Sequence, residues 1–267
     1  MTTPPTIPTC CLRTPSPWPS PPTGTGTGTG TTTPLTTPLK PHSVYTTGHH
    51  PTRAIVVLHD LLGWSFPPLR LLADRYADRA PATVFLPDFF GGESLPAGPI
   101  LAGRWADLDL PGFLGRNARS VREPEIVAFV RYLRVGLGFE RVGVVGFCWG
   151  GWAALRLGGN GGDGEGQRQY LVDCVSIGHP SLVTEEDIAG VQVPVQVLAP
   201  QRDPVYTAQL KAFTVQNLQE RGVPFEYRFF PGVEHGCFTR GDEGVPGERE
   251  ALARGREAVG CWMRGWL

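Results

Sequence analysis

A cysteine, an aspartate and a histidine define the chemistry this chain can do. Cys148 lies in Gly146-Phe147-Cys148-Trp149-Gly150-Gly151, a thiol flanked by glycines. A thiolate is the attacking species of such a residue, and it needs a base. His235, in Gly232-Val233-Glu234-His235-Gly236, supplies that base and later protonates a leaving group. Asp203, in Pro200-Gln201-Arg202-Asp203-Pro204, would hold the imidazole tautomer and stabilise the imidazolium. The set suits attack of sulfur on an ester-like carbonyl. Each member alone has a plainer reading: a buried cysteine, a turn aspartate, a loop histidine.

The elements around them favour the reactive reading. Arg141–Val145 is an apolar run that enters the cysteine turn, and Trp152–Leu157 leaves it as a helix. The glycines let strand and helix approach closely around a strained nucleophile. The helix N-terminus then faces the sulfur and favours its anion. Upstream, the β-branched run Ala54–Leu58 reads as a buried parallel strand ending at His59-Asp60-Leu61-Leu62-Gly63-Trp64. Backbone N–H groups of Leu61 and Trp149 are the expected oxyanion donors. His59 reads as a structural histidine tying down the turn. Asp60 either caps that turn or faces the nucleophile and tunes its ionisation; Trp64 closes the same turn beside the expected substrate site. His179, before Pro180 at another strand end, is a rival base expected to flank the pocket. Cys174 reads as core, and Asp173 as packed along a strand.

Helical spacing of Leu69, Leu72, Ala73 and Tyr76 predicts a helix over 67–80. Thr83–Leu86 is the next strand. Residues 93–118, with Pro96, Pro99 and Pro111, predict a long loop with short helices, where Trp105, Phe113 and Leu114 line a site or pack the core. A helix with Ile126, Phe129, Val130 and Leu133 has Pro124 near its start. Further strands are expected at 171–177, 195–199 and 225–230, with helices at 207–221 and from Pro246. Gly158–Gly166 reads as a flexible surface loop, and without a following Lys-Ser/Thr it is no phosphate loop. Strands alternating with helices imply a mostly parallel sheet covered on both faces.

With 267 residues, 41% hydrophobic and 18% charged, the chain is long enough for a sizeable core. Its 24 basic and 25 acidic residues leave a net charge of −1, which gives no electrostatic case for nucleic acid or an anionic membrane. Cysteines at 10, 11, 148, 174, 237 and 261 show no zinc-site spacing. Neither an apolar signal segment nor a membrane-length apolar run occurs, so free thiols in the reducing cytoplasm are expected. Residues 1–41 differ from the rest: they hold 11 of the 27 prolines, no acidic residue, and the repeat Thr23–Thr33. They are expected to be extended or disordered, with Ser43–Thr47 a short edge strand and one globular unit over 42–267.

Nucleophile, acid and base in the order Cys148, Asp203, His235, each past a strand end, match the triad order of the α/β-hydrolase fold. The turn at 59–64, the elbow at 146–151, Ala199–Thr207 and Gly232–Asp242 together resemble the dienelactone hydrolase family, especially its fungal branch. The resemblance spans roughly 42–267, and Cys10-Cys11 is similar to that branch's N-terminal start. It implies one α/β-hydrolase domain, a Cys-His-Asp triad, no metal or organic cofactor, and hydrolysis of lactones or small esters. Bacterial members carry glutamate where Asp60 stands, and bind a substrate carboxylate with arginines; Arg240 lies near the equivalent place with different spacing. The expectation is a cytoplasmic thiol-dependent ester or lactone hydrolase, monomeric or homodimeric. Acyl transfer or peptide cleavage by the same triad, a non-catalytic homologue, and a redox-sensing thiol with Cys237 as resolving partner are the alternatives left open.

Overall fold

The apolar, β-branched runs become the middle of a sheet. A computed structural model describes residues 28–159, 170–240, 242 and 245–267. In chain order these form β1 (Thr31–Thr36), β2 (Pro41–Thr47), β3 (Arg53–Leu58), α1 (Pro67–Arg79), β4 (Thr83–Pro87), α2 (Ala97–Leu101), α3 (Leu110–Arg116) and α4 (Arg119–Arg131). Then come β5 (Arg141–Phe147), α5 (Gly150–Gly159), β6 (Cys174–Gly178), α6 (Glu185–Gly190), β7 (Val195–Arg202), α7 (Ala208–Glu220), β8 (Phe225–Glu234) and α8 (Glu248–Trp266). The eight strands lie in the order β1-β2-β4-β3-β5-β6-β7-β8. β1, β2 and β4 pair antiparallel, and all the other pairs are parallel.

Central strands are buried on both faces, as their unbroken apolar runs require. On one face, Phe129 and Val130 of α4, Trp152 of α5 and Leu218 of α7 pack against Val144 and Val197. On the other, Leu72 and Tyr76 of α1 and Val259 and Met263 of α8 pack against Ile55, Val57 and Val145. This is the α/β-hydrolase architecture, helices covering both faces of a mostly parallel sheet. The chain runs from β3 out to β4, then crosses back to β5 on β3's other side. That reversal opens a crevice at the carboxyl ends of β3 and β5, where His59 and Cys148 follow.

Four expectations need correction. The segment 1–41 joins the sheet from Thr31: β1 pairs with β2, so β2 is not the edge strand. β-branched threonines favour extended backbone, Gly30 N–H donates to Tyr45 Oη (2.7 Å) and Thr29 N–H to Asp74 Oδ2 (2.9 Å). Pro34 is tolerated on this outer strand. Residues 1–27, with Cys10, Cys11 and Trp18, and most of the 158–166 loop lie outside the described residues, while α5 runs on to Gly159. Pro124 sits inside α4 rather than near its start. The first turn of α4 is anchored by Arg122, whose guanidinium reaches Asn117, Phe90 O and Glu125. Finally, Asp173, expected to pack along a strand, is an ion-pair node just before β6. It accepts from Arg134 Nη2 (2.6 Å), Arg141 Nη1 (3.0 Å) and Val142 N–H (2.7 Å).

Candidate active site

Two glycines make the cysteine turn possible. A Cβ on Gly146 would stand 2.3 Å from Gly150 O, and one on Gly150 would stand 2.3 Å from Leu58 O. Only hydrogen at these positions lets β5, α5 and β3 close together. Cys148 itself takes the left-handed conformation, φ 47°, which a side chain rarely adopts. Three bonds hold it there. Its N–H donates to Gly178 O (3.2 Å), and its carbonyl accepts from Gly151 N–H (3.0 Å) and Ser181 N–H (2.8 Å). α5 begins two residues later, so its N-terminus lies behind the sulfur.

His235 and Asp203 come from the adjoining strand ends. His235 follows β8, and its N–H donates to Arg202 O (3.0 Å). Its Nε2 lies 3.1 Å from Cys148 Sγ, and its Nδ1 lies 3.0 Å from Asp203 Oδ2. The other Asp203 oxygen accepts from the N–H groups of Val205 (3.0 Å) and Tyr206 (2.9 Å), and the Asp203 side chain is fully buried. Burial alone would lower the imidazole pKa. The Cys148 sulfur and the Asp203 carboxylate outweigh it and raise the pKa to about 10. The geometry therefore favours the imidazolium form of His235, seated between the Cys148 sulfur and the Asp203 carboxylate.

Ser181 joins this group without having been singled out in the sequence. Its Oγ lies 3.3 Å from Cys148 Sγ and 3.4 Å from His235 Nε2. Its signal was topological: it follows β6, the strand next to the nucleophile's own.

The upstream turn builds the opposite wall. His59 is fully buried, donates from Nδ1 to Asp60 O (3.0 Å) and accepts at Nε2 from Phe89 N–H (3.3 Å). Burial lowers its pKa to about 4, so it is a neutral brace stacked on Trp149. Asp60 does cap the turn, accepting from Leu62 N–H (2.9 Å), and also accepts from Thr239 Oγ1 (2.6 Å). Burial raises the pKa of its carboxyl group. Leu61 and Trp149 both line the cavity, and neither N–H donates a hydrogen bond among the described residues. Trp64 does not line it. That ring packs toward the α1 side, under the guanidinium of Arg70 at 4.8 Å.

His179 borders the cavity, as expected of a flanking residue. Its ring lies between Phe147 and Phe238, edge-on to His235 at 4.9 Å, and burial keeps its pKa well below the ordinary value. Arg240 also borders the cavity, but its Nε and Nη2 both reach Glu248 Oε1 at 3.1 Å. Cys174 is core. Cys237 is fully buried in the α1–α8 core cluster, where burial raises its pKa. Phe113 packs on Phe90, whereas Trp105 and Leu114 line the site. The cavity over Cys148 holds about 800 Å³. Among the described residues no cluster of three His, Cys, Asp or Glu side chains could hold a metal. No described helix is long and apolar enough to cross a membrane.

Known proteins give this geometry a family. Two curated relatives are similar over most of their length. Carboxymethylenebutenolidase homolog of Mus musculus is 29% identical over 219 residues, 80% of this chain and 83% of its own. Hydrolase tropI of Talaromyces stipitatus is 24% identical over 205 residues, 74% of this chain and 75% of its own. Among solved structures, a putative dienelactone hydrolase from Klebsiella pneumoniae superposes with a TM-score of 0.66 at 15% identity, over 89% of this chain and 97% of that one. At that identity the likeness speaks for the fold. The sequence profile of the dienelactone hydrolase family matches residues 42–267. The chain therefore belongs to the dienelactone hydrolase family, and with it to the carboxylic ester hydrolases of the α/β-hydrolase fold.

Proposed function

We propose that the protein hydrolyses a lactone or carboxylic ester through a Cys148-His235-Asp203 triad and an acyl-enzyme intermediate. The observation that carries this reading is the imidazole of His235, 3.1 Å from a sulfur on one side and 3.0 Å from a buried carboxylate on the other. Cys148 thiolate attacks the ester carbon, and the carbonyl oxygen becomes an oxyanion beside the N–H groups of Leu61 and Trp149. Collapse breaks the C–O bond, and the leaving alkoxide takes the proton from His235 Nε2. Neutral His235 then removes a proton from water, whose oxygen attacks the thioester. The acid is released, and thiolate and imidazolium are restored. Asp203 holds the Nδ1 proton throughout. A reducing compartment such as the cytoplasm suits this chemistry, because Cys148, Cys174 and Cys237 form no disulfide among the described residues.

The test is a panel of lactones and p-nitrophenyl esters with the wild type and Cys148→Ala. Turnover should fall by about 10³-fold or more in the variant, while the far-ultraviolet circular dichroism is kept. Iodoacetamide should inactivate the wild type with the label on Cys148. Equal hydrolysis by Cys148→Ala would overturn the assignment.

A further inference from the structure

The mouth of the cavity carries information that the triad does not use. Three of its lining side chains are large, apolar and exposed: Trp105 (48%), Leu182 (45%) and Val205 (47%). They come from three separate elements: the 3₁₀ turn before α3, the loop after β6 and the loop after β7. Together they form an apolar collar above Cys148, with Leu61, Ile100 and Leu114 deeper in the wall.

Leu182 is held there at a cost. Its φ is 58°, in the left-handed region that favours glycine. Its carbonyl is fixed by Arg119 Nη1 (3.1 Å), and that guanidinium is clamped by the buried Asp187 and lies over Trp152. A glycine would satisfy the backbone, yet the chain keeps a leucine whose side chain reaches the mouth. Strained side chains at a site edge point to a role in what the site holds.

The charges of the cavity argue in the same direction. Arg240 is held by Glu248, whose side chain is 1% exposed. Arg202 is paired with Glu234 at 3.1 Å, and His235 with Asp203. Each cation lining the cavity already faces an anion of this chain. A substrate carboxylate would enter beside the Cys148 sulfur and the Glu234 carboxylate and would have to share a guanidinium already paired with an anion. Desolvating a charge without a new partner is unfavourable.

We propose that this site selects uncharged esters or lactones with an extended apolar group, seated against Trp105, Leu182 and Val205, and discriminates against substrates with a free carboxylate. This inference rests on the ester-hydrolase reading above. Each buried methylene is worth about 4-fold in binding, so the collar predicts a steep dependence on chain length.

The experiment measures kcat/KM of the full-length protein for p-nitrophenyl acetate, butyrate and hexanoate, and for the p-nitrophenyl monoester of adipic acid. That last substrate matches hexanoate in length but ends in a carboxylate. Hexanoate should exceed acetate by about 10-fold or more, and should exceed the adipate monoester by a similar factor. Leu182→Gly relieves the backbone strain and should leave Tm nearly unchanged, while cutting the hexanoate-to-acetate ratio several-fold. Trp105→Ala, on a separate element, should do the same. A flat chain-length series, or preference for the adipate monoester, overturns the inference and leaves the hydrolase reading standing. Absence of turnover with all four esters overturns both.

Discussion

The floor and the mouth of the candidate active site are built by opposite rules. On the floor, Cys148, His235 and Asp203 sit at the carboxyl ends of β5, β8 and β7, and the Asp203 side chain is fully buried. Their surroundings tolerate almost nothing larger: Gly146 and Gly150 each leave only 2.3 Å for an added Cβ. At the mouth, Trp105, Leu182 and Val205 are about half exposed and stand on loops. The floor is fixed by strand pairing and close approach. The mouth is fixed by side chains that the fold does not need. Chemistry and selectivity can therefore vary separately here, and substitutions should separate them.

The largest effect should come from crowding the floor. Gly150→Ala puts a methyl carbon against the backbone Leu58 O at 2.3 Å, and neither the rigidly held Cβ nor the strand carbonyl can yield cheaply. We expect a loss of about 3 kcal/mol or more of stability, above the usual overpacking range, together with most of the activity. Urea denaturation and the ester assay check both. A Gly150→Ala protein of wild-type stability would mean that the floor is more compliant than its contacts imply, and would weaken the contrast with the mouth.

Removing the charge behind the histidine should have a smaller, pH-dependent effect. Asp203→Asn keeps the shape but loses one of the two partners, the Asp203 carboxylate and the Cys148 sulfur, that raise the His235 pKa to about 10. We expect kcat to fall by at least about 10-fold with little change in KM, since imidazole orientation matters most in the transition state. The sign of the pH effect follows from the raised pKa. In the proposed mechanism imidazolium is the general acid, so the alkaline limb of kcat/KM should lie near pH 10 in the wild type and move downward in Asp203→Asn. Stability follows the same linkage. The contribution of the His235 pair is complete below the ordinary histidine pKa of 6.5 and is lost as pH rises through about 10. An unmoved alkaline limb would remove Asp203 from the triad and leave Asp60 as the acid to test.

Legibility followed the same division. That Cys148, Asp203 and His235 come together could be read because each follows a strand, and a parallel sheet gathers strand ends on one edge. His59 could be read as structural because a histidine closing a buried strand needs partners, and it has Asp60 O and Phe89 N–H. β1 was hidden by a Thr-Pro segment whose pairing depends on Tyr45 and Asp74, far away in sequence. Trp64 was misplaced because a turn motif does not say which way its last ring points. Asp173 was misread because its partners Arg134 and Arg141 lie more than thirty residues upstream. Leu182 carried no signal at all: its meaning lies in a backbone angle and in the carbonyl bond from Arg119.

The smallest predicted effect is also the sharpest question about the floor. Ser181 Oγ stands 3.3 Å from the sulfur and 3.4 Å from His235 Nε2, so a second nucleophile-like group shares the base. Three observations favour sulfur. Cys148 is nearer the imidazole, at 3.1 Å. It occupies the strained turn before α5, with φ 47°, and Ser181 does not. Its sulfur also ionises far more readily than a hydroxyl. On this view the Ser181 hydroxyl only holds the thiolate in its attacking orientation, while its N–H secures the Cys148 carbonyl at 2.8 Å. Ser181→Ala keeps that N–H and removes one partly solvated hydrogen bond, worth about 1 kcal/mol. We expect kcat to fall about 5-fold, with KM and the hexanoate-to-acetate ratio unchanged. Iodoacetamide should still label Cys148. A loss as deep as that of Cys148→Ala, with the thiol still alkylated, would instead make Ser181 the nucleophile and Cys148 its neighbour.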